Sequence, residues 1–166
     1  MYARFGWMFL VVGCVGDPVE TEDTAETGTP LTCDVATDPT FCWAEAVAGS
    51  EESFVAAMNR EAQRLGMKNT KFMNATGLPD PQHYASARDL GLLAQAIIRD
   101  FPDYYPIYAT RDYTYNKITQ PNRNPLLGKL EGADGIKTGH TREAGYGFVG
   151  SAVRDGDHPR QHAAAL

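Results

Sequence analysis

Residues Gly145 to Val153 alternate Tyr146, Phe148 and Ala152 with Val149, Ser151 and Val153, the pattern of a strand that is apolar on both faces. Such a strand has to be covered from two sides and protected along its edges. Just upstream, Asp134-Gly135-Ile136-Lys137-Thr138-Gly139-His140-Thr141 reads as a second strand, to which the first should pair. Arg154-Asp155-Gly156 is a turn, and Asp157 to Leu166 is polar and then alanine-rich, without strand character. One edge and part of one face of the Gly145 to Val153 strand are therefore expected to lie open to water, with poor solubility as the consequence.

The middle of the chain has helical periodicity. Ser50 suits an N-cap, Glu51 and Glu52 suit the positive start of a helix, and Arg64 suits its end. Phe54, Met58 and Leu65, with Ala57 and Ala62 beside them, form one apolar stripe, and Gly66 sits where a left-handed C-cap belongs. A second helix starts at Ser86, with Asp89 as a capping-box partner, buries Leu90, Leu93, Ala94, Ile97 and Ile98, and ends at Phe101-Pro102. Arg88 and Asp89 read as helix-start electrostatics. Between the helices, Asn74-Ala75-Thr76-Gly77-Leu78-Pro79-Asp80-Pro81 is a turn-rich loop whose Gly and Pro residues set a compact path.

The front of the chain is a different unit. Arg4 precedes an apolar run, Phe5 to Val12, too short to span a bilayer, and Val11-Val12-Gly13-Cys14 has the form of a lipobox, which makes Cys14 the lipidated residue. An uncleaved secretory signal and a chance apolar start are the alternatives. Asp17 to Asp34 holds six acidic residues and no basic one, and its Thr, Glu, Asp and Pro content suits a disordered tether. The net charge of −6 is thus local, with 15 acids and 14 bases from Val35 onward, and nothing points to nucleic acid. In an exported protein Cys33 and Cys42 could close a small loop, or both could stay unpaired. His83, His140, His158 and His162 show no zinc-type spacing with the cysteines, so neither a metal nor a cofactor is implied.

Lys137-Thr138-Gly139 carries recognisable chemistry. A Lys ammonium attracts a carboxylate, a neighbouring Thr hydroxyl hydrogen-bonds it, and a glycine lets a ligand backbone approach the strand. Alone the triplet is a weak signal, equally at home on a strand with an exposed Lys and Thr.

Its surroundings are more specific. From Ala44-Glu45-Ala46-Val47-Ala48-Gly49-Ser50 through Met58-Asn59, Gln63-Arg64-Leu65-Gly66-Met67, Phe72-Met73-Asn74-Ala75-Thr76-Gly77-Leu78-Pro79 and Ser86-Ala87-Arg88-Asp89-Leu90 to Lys137-Thr138-Gly139-His140-Thr141 and Ala144-Gly145-Tyr146, the chain resembles the D-alanyl-D-alanine carboxypeptidases of the penicillin-binding protein class. The resemblance implies an α+β architecture, a partial penicillin-binding protein/β-lactamase-like transpeptidase fold, with a helical region from Ala44 to Asp100 and a strand-rich one from Tyr113 to Val153. It divides the chain into a signal at 1–14, a tether at 15–43, a partial catalytic-type domain at 44–156 and an atypical tail at 157–166.

It also implies roles. Lys137 and Thr138 would hold the terminal carboxylate of a peptidoglycan D-Ala-D-Ala stem peptide or a β-lactam, Gly139 would admit it, and the His140 backbone N–H would supply one arm of an oxyanion hole. The departures are equally clear. No serine has a Lys three residues on, and the family's Ser-Gly-Asn motif falls on Val35-Ala36-Thr37. Two expectations follow: a carboxypeptidase-family chain that is inert alone, as an incomplete or rearranged gene product would be, or an exported, membrane-anchored lipoprotein whose domain binds peptidoglycan or a partner without catalysis.

Overall fold

The computed structural model describes residues 39–153 and the backbone of Ala164–Ala165. Cys14, Cys33 and positions 15–38 of the expected tether lie outside the described residues; its last positions, 39–43, are helical rather than tether. The described α-helices are α1 (Pro39–Ala48), α2 (Glu51–Arg64) and α3 (Ala87–Asp100), with the first two strands between α2 and α3. The strands are β1 (Thr70–Lys71), β2 (Tyr84–Ala85), β3 (Asp112–Tyr115), β4 (Ile118–Pro121), β5 (Ala133–Thr141), β6 (Gly145–Ala152) and β7 (Ala164–Ala165). They form antiparallel pairs β1-β2 and β3-β4 and a three-stranded sheet β5-β6-β7. None of the described helices is long and apolar enough to cross a membrane.

The boundary expected at Ala44 cuts through a helix. α1 begins at Pro39, and Cys42 and Ala44 are both buried. Cys42 takes part in a disulfide, with its partner outside the described residues. Proline at the first turn is compatible with a helix, since its missing N–H has no intrahelical acceptor there anyway. The acidic composition upstream masked that start.

α2 follows the expected pattern closely. The Ser53 N–H donates to Ser50 Oγ at 3.2 Å, and past the helix end Gly66 takes φ +76°, the left-handed conformation that closes the last turn. The buried face meets the chain that follows, where Met58, Ala62, Met67 and Phe72 form a core cluster with Phe54, Val55, Leu65, Leu92 and Leu93 packed on it. Asn59 fastens that segment by a side chain acting as a strand partner. Its Nδ2 donates to Phe72 O at 2.8 Å, and its Oδ1 accepts from Phe72 N at 2.9 Å.

Asp89 corrects one expectation. Its backbone N–H donates to Ser86 Oγ at 3.2 Å, as an N-cap requires. Its side chain does not return to the cap; it is fully buried, and Oδ2 accepts from Asn69 N at 2.6 Å and Thr70 Oγ1 at 2.9 Å. This carboxylate is a tertiary tie between α3 and β1.

The tail corrects another. Ala164 and Ala165 pair with Gly150 and Val149 of β6, and β7 also lies alongside α3. The edge of β6 expected to be open is thus covered over part of its length. Strand pairing uses backbone N–H and C=O groups, which alanine supplies as well as any residue, so a lack of side-chain patterning did not exclude it. Removing 164–166 should re-expose that edge; we expect more self-association and more binding of a hydrophobic dye than for the full chain, read by light scattering and fluorescence. Equal dye uptake by both would show that the pairing protects nothing.

His83 gives the helical half a pH response. It is 5% exposed, packs edge-on to Phe72, and its Nδ1 accepts from Met73 N at 3.3 Å, which requires the unprotonated nitrogen. Burial pulls its pKa below the ordinary 6.5, with Asp80 opposing. A depressed folded-state pKa means that the stabilisation is fully present above 6.5 and is lost as pH falls through the folded value. Melting temperature should therefore drop between pH 7 and pH 5, and His83→Asn, which keeps an acceptor but does not titrate, should flatten that drop.

Candidate ligand-gripping site

β5 and β6 pair over nearly their whole length, and that pairing sets where each functional side chain points. Lys137 lies opposite Val149, Thr138 opposite Phe148, Gly139 opposite Gly147 and His140 opposite Tyr146. Alternation puts Lys137 and Gly139 on one face of the sheet and Thr138 and His140 on the other. Val149 opposite Lys137 and Gly147 opposite Gly139 are both buried, so that face is covered, whereas β5 is an outer strand of the sheet and its edge is where a ligand could come close to the Gly139 backbone. The hairpin is closed by Ala144 N donating to Thr141 Oγ1 at 2.9 Å and by Gly145 at φ +73°.

Lys137 is half-buried and its Nζ donates to the Thr138 carbonyl oxygen. Burial pushes its pKa down, and the Arg123 guanidinium adds repulsion in the same direction. Two cations held near one another, one of them partly desolvated, make a place where an anion relieves the cost of both. His140 is exposed, and its ring centre lies 4.2 Å from that of Tyr146, itself 85% exposed. Together they form an aromatic rim at the hairpin end. Among the described residues, no group of three His, Cys, Asp or Glu side chains could hold a metal.

Several groups around this strand escaped the sequence reading. Arg123 belongs to the polar run Asn122-Arg123-Asn124, which follows β4 and brings charge to Lys137. Asn124 is buried and donates from Nδ2 to Gly135 O at 2.8 Å. Asp134 Oδ1 accepts from Ser151 Oγ at 2.7 Å and from Tyr105 Oη at 3.2 Å. The adjacency of Asp134 to the Lys-Thr-Gly strand was the available signal; Tyr105 and Ser151 had none, being far from it in the chain.

Helices with a short strand pair among them, followed by a Lys-Thr-Gly strand in an antiparallel hairpin, make an α+β arrangement. A family model for D-alanyl-D-alanine carboxypeptidase matches residues 28–160, and the chain belongs to that family. It is 48% identical over 117 residues to the D-alanyl-D-alanine carboxypeptidase DacA of Haemophilus influenzae, covering 70% of this chain and 30% of that protein. Among solved structures, penicillin binding protein 5 from Haemophilus influenzae superposes with a TM-score of 0.65 at 44% identity, covering 75% of this chain and 35% of that one. Penicillin-binding protein D2 from Listeria monocytogenes, in its cefotaxime-bound form, gives 0.63 at 34% identity, covering 72% and 49%. The α+β, penicillin-binding protein-like fold expected from the sequence is the fold observed, over part of its extent. The chain spans about a third of the length of the curated relatives it matches.

Proposed function

We propose that this chain carries the carboxylate-gripping half of a D-Ala-D-Ala carboxypeptidase site and, by itself, binds peptidoglycan stem peptides or β-lactams without forming an acyl-enzyme. The observation behind this is the half-buried Lys137 near the Arg123 guanidinium, on the outer strand of the sheet with Gly139 two positions on. In this reading the peptide lies along the outer edge of β5, where Lys137 from one face and Thr138 from the other hold the terminal carboxylate, Gly139 admits the peptide backbone, and the His140 N–H faces the adjoining peptide carbonyl. Acyl transfer needs a nucleophile with a base beside it. Ser50, Ser53, Ser86 and Ser151 each lack a Lys three residues on. Ser151 is in any case buried and committed to Asp134.

The same reading places the protein outside the cytoplasm, tethered to a membrane through a lipid on Cys14, as Val11-Val12-Gly13-Cys14 suggests. The test uses the purified chain and a fluorescent penicillin. No fluorescent band should survive denaturation, while an N-acetylated D-Ala-D-Ala peptide should shift the amide resonances of 137–140. A surviving band that maps to one of the four serines overturns the non-acylating part of the reading, and unmoved resonances overturn the binding part.

A further inference from the structure

Beyond the Thr141–Gly145 turn that closes the hairpin, side chains do little to hold the register of β5 and β6. β5 contains Gly135 and Gly139, and β6 contains Gly145, Gly147 and Gly150, so little side-chain alternation resists a slip. A slip of one residue would exchange the faces of Lys137 and Thr138. The register is nevertheless specific, with a bulge between Ala133 and Gly135 that leaves Asp134 out of the ladder.

Around that bulge sits a buried polar cluster. Asp134 Oδ1 accepts from Ser151 Oγ at 2.7 Å and from Tyr105 Oη at 3.2 Å, and the Tyr105 and Ser151 hydroxyls are hydrogen-bonded to each other. Ser151 is the register partner of Gly135. A Cβ on Gly135 would lie 2.6 Å from Tyr105 Oη and 2.8 Å from Ser151 Oγ, so only glycine fits, and Asn124 Nδ2 holds its carbonyl at 2.8 Å. Tyr105, Ser151 and Asn124 are 4%, 5% and 6% exposed. Burial holds the Tyr105 hydroxyl well above the ordinary phenol range, so it stays a donor.

We propose that Tyr105, Ser151 and Asp134 are positioning residues, a register pin that decides which face of the sheet carries Lys137 and which carries Thr138. Moving Ser151 by one residue along β5 would break both of its bonds and bring a side chain against the Tyr105 hydroxyl, where only Gly135 fits. The pin thereby acts on ligand binding through strand register, without touching the ligand. Its importance for binding rests on the proposed function; its effect on register does not.

The experiment reads cross-strand nuclear Overhauser contacts without ligand, then titrates the N-acetylated D-Ala-D-Ala peptide. The natural chain should show the Lys137–Val149 register alone. Tyr105→Phe/Ser151→Ala and Asp134→Ala should show a second, shifted set of contacts and bind the peptide about tenfold more weakly, a change of about 1.4 kcal/mol. Asp134→Asn keeps the Oδ1 acceptor and should restore the single register. If the double variant does not fold, Tyr105→Phe alone, which removes one oxygen, is read in the same way. A single Lys137–Val149 register in the variants, whatever their melting temperature, overturns the pin. Loss of peptide binding by the natural chain overturns the proposed function and leaves the pin standing.

Discussion

Gly132→Ala should lower the melting temperature by roughly 10 °C or more, corresponding to about 3 to 5 kcal/mol of lost stability. Gly132 has φ +76°, and a Cβ built there falls 2.0 Å from Val153 O, a backbone atom that cannot move aside cheaply. The same residue accepts from Val153 N at 2.8 Å, the bond that closes the open end of the β5-β6 pair next to Ala133 and Ala152. Left-handed strain accounts for about 1 to 2 kcal/mol, and the clash supplies the remainder. Gly49→Ala separates the two contributions, because Gly49 has φ +78° with nothing within 4 Å of its Cβ position. It should lose only the strain. Equal losses at both sites would show that the β5-β6 end relaxes around the methyl group.

Asn59→Ala should cost about 2 to 4 kcal/mol. It removes both bonds to the Phe72 backbone and a third from Nδ2 to Val55 O at 3.0 Å, in a part of the structure where Phe72 is only 6% exposed. Phe72 would lose the side chain that holds it against Met58 and Ala62, so the cluster loosens together with the polar bonds. Chemical denaturation measures the loss. A value under about 1 kcal/mol would mean that water replaces the amide at little cost.

Neither effect is visible in the local sequence. Asn59 stands in a helical stretch whose apolar stripe is legible, yet its amide serves a residue beyond the end of that helix. Gly132 stands in a segment without a motif, and its constraint comes from Val153 at the far end of the hairpin. Helices α2 and α3 were legible from period and cap, and for α2 from the C-terminal glycine: Ser50 and Gly66 do what those residue types do at helix ends. So was the β5-β6 pair, from the Lys-Thr-Gly strand and the alternating segment after it.

The start of α1 and the pairing of the tail were not legible, for two different reasons. Pro39 lies at the end of an acidic stretch whose composition outweighs a single helix turn. Ala164–Ala165 joins β6 by backbone alone. The residues proposed to grip a ligand, Lys137, Thr138, Gly139 and His140, could be picked out because they are consecutive in the chain. Arg123, Asn124, Tyr105 and Ser151 could not, since their significance is a distance to β5 and a linear chain contains no distances.

The sequence by itself determined α2, α3, the β5-β6 pair, the family and the position of the Lys-Thr-Gly strand, because periodicity, capping and a contiguous motif are local properties of residue order. Only the tertiary structure decided which face of the sheet each of those residues occupies, what covers the edge of β6, and that Asp89 is a buried tie in place of a surface cap. Each of those outcomes depends on a partner distant in the chain, whose approach is set by how the elements pack and not by what either residue is alone.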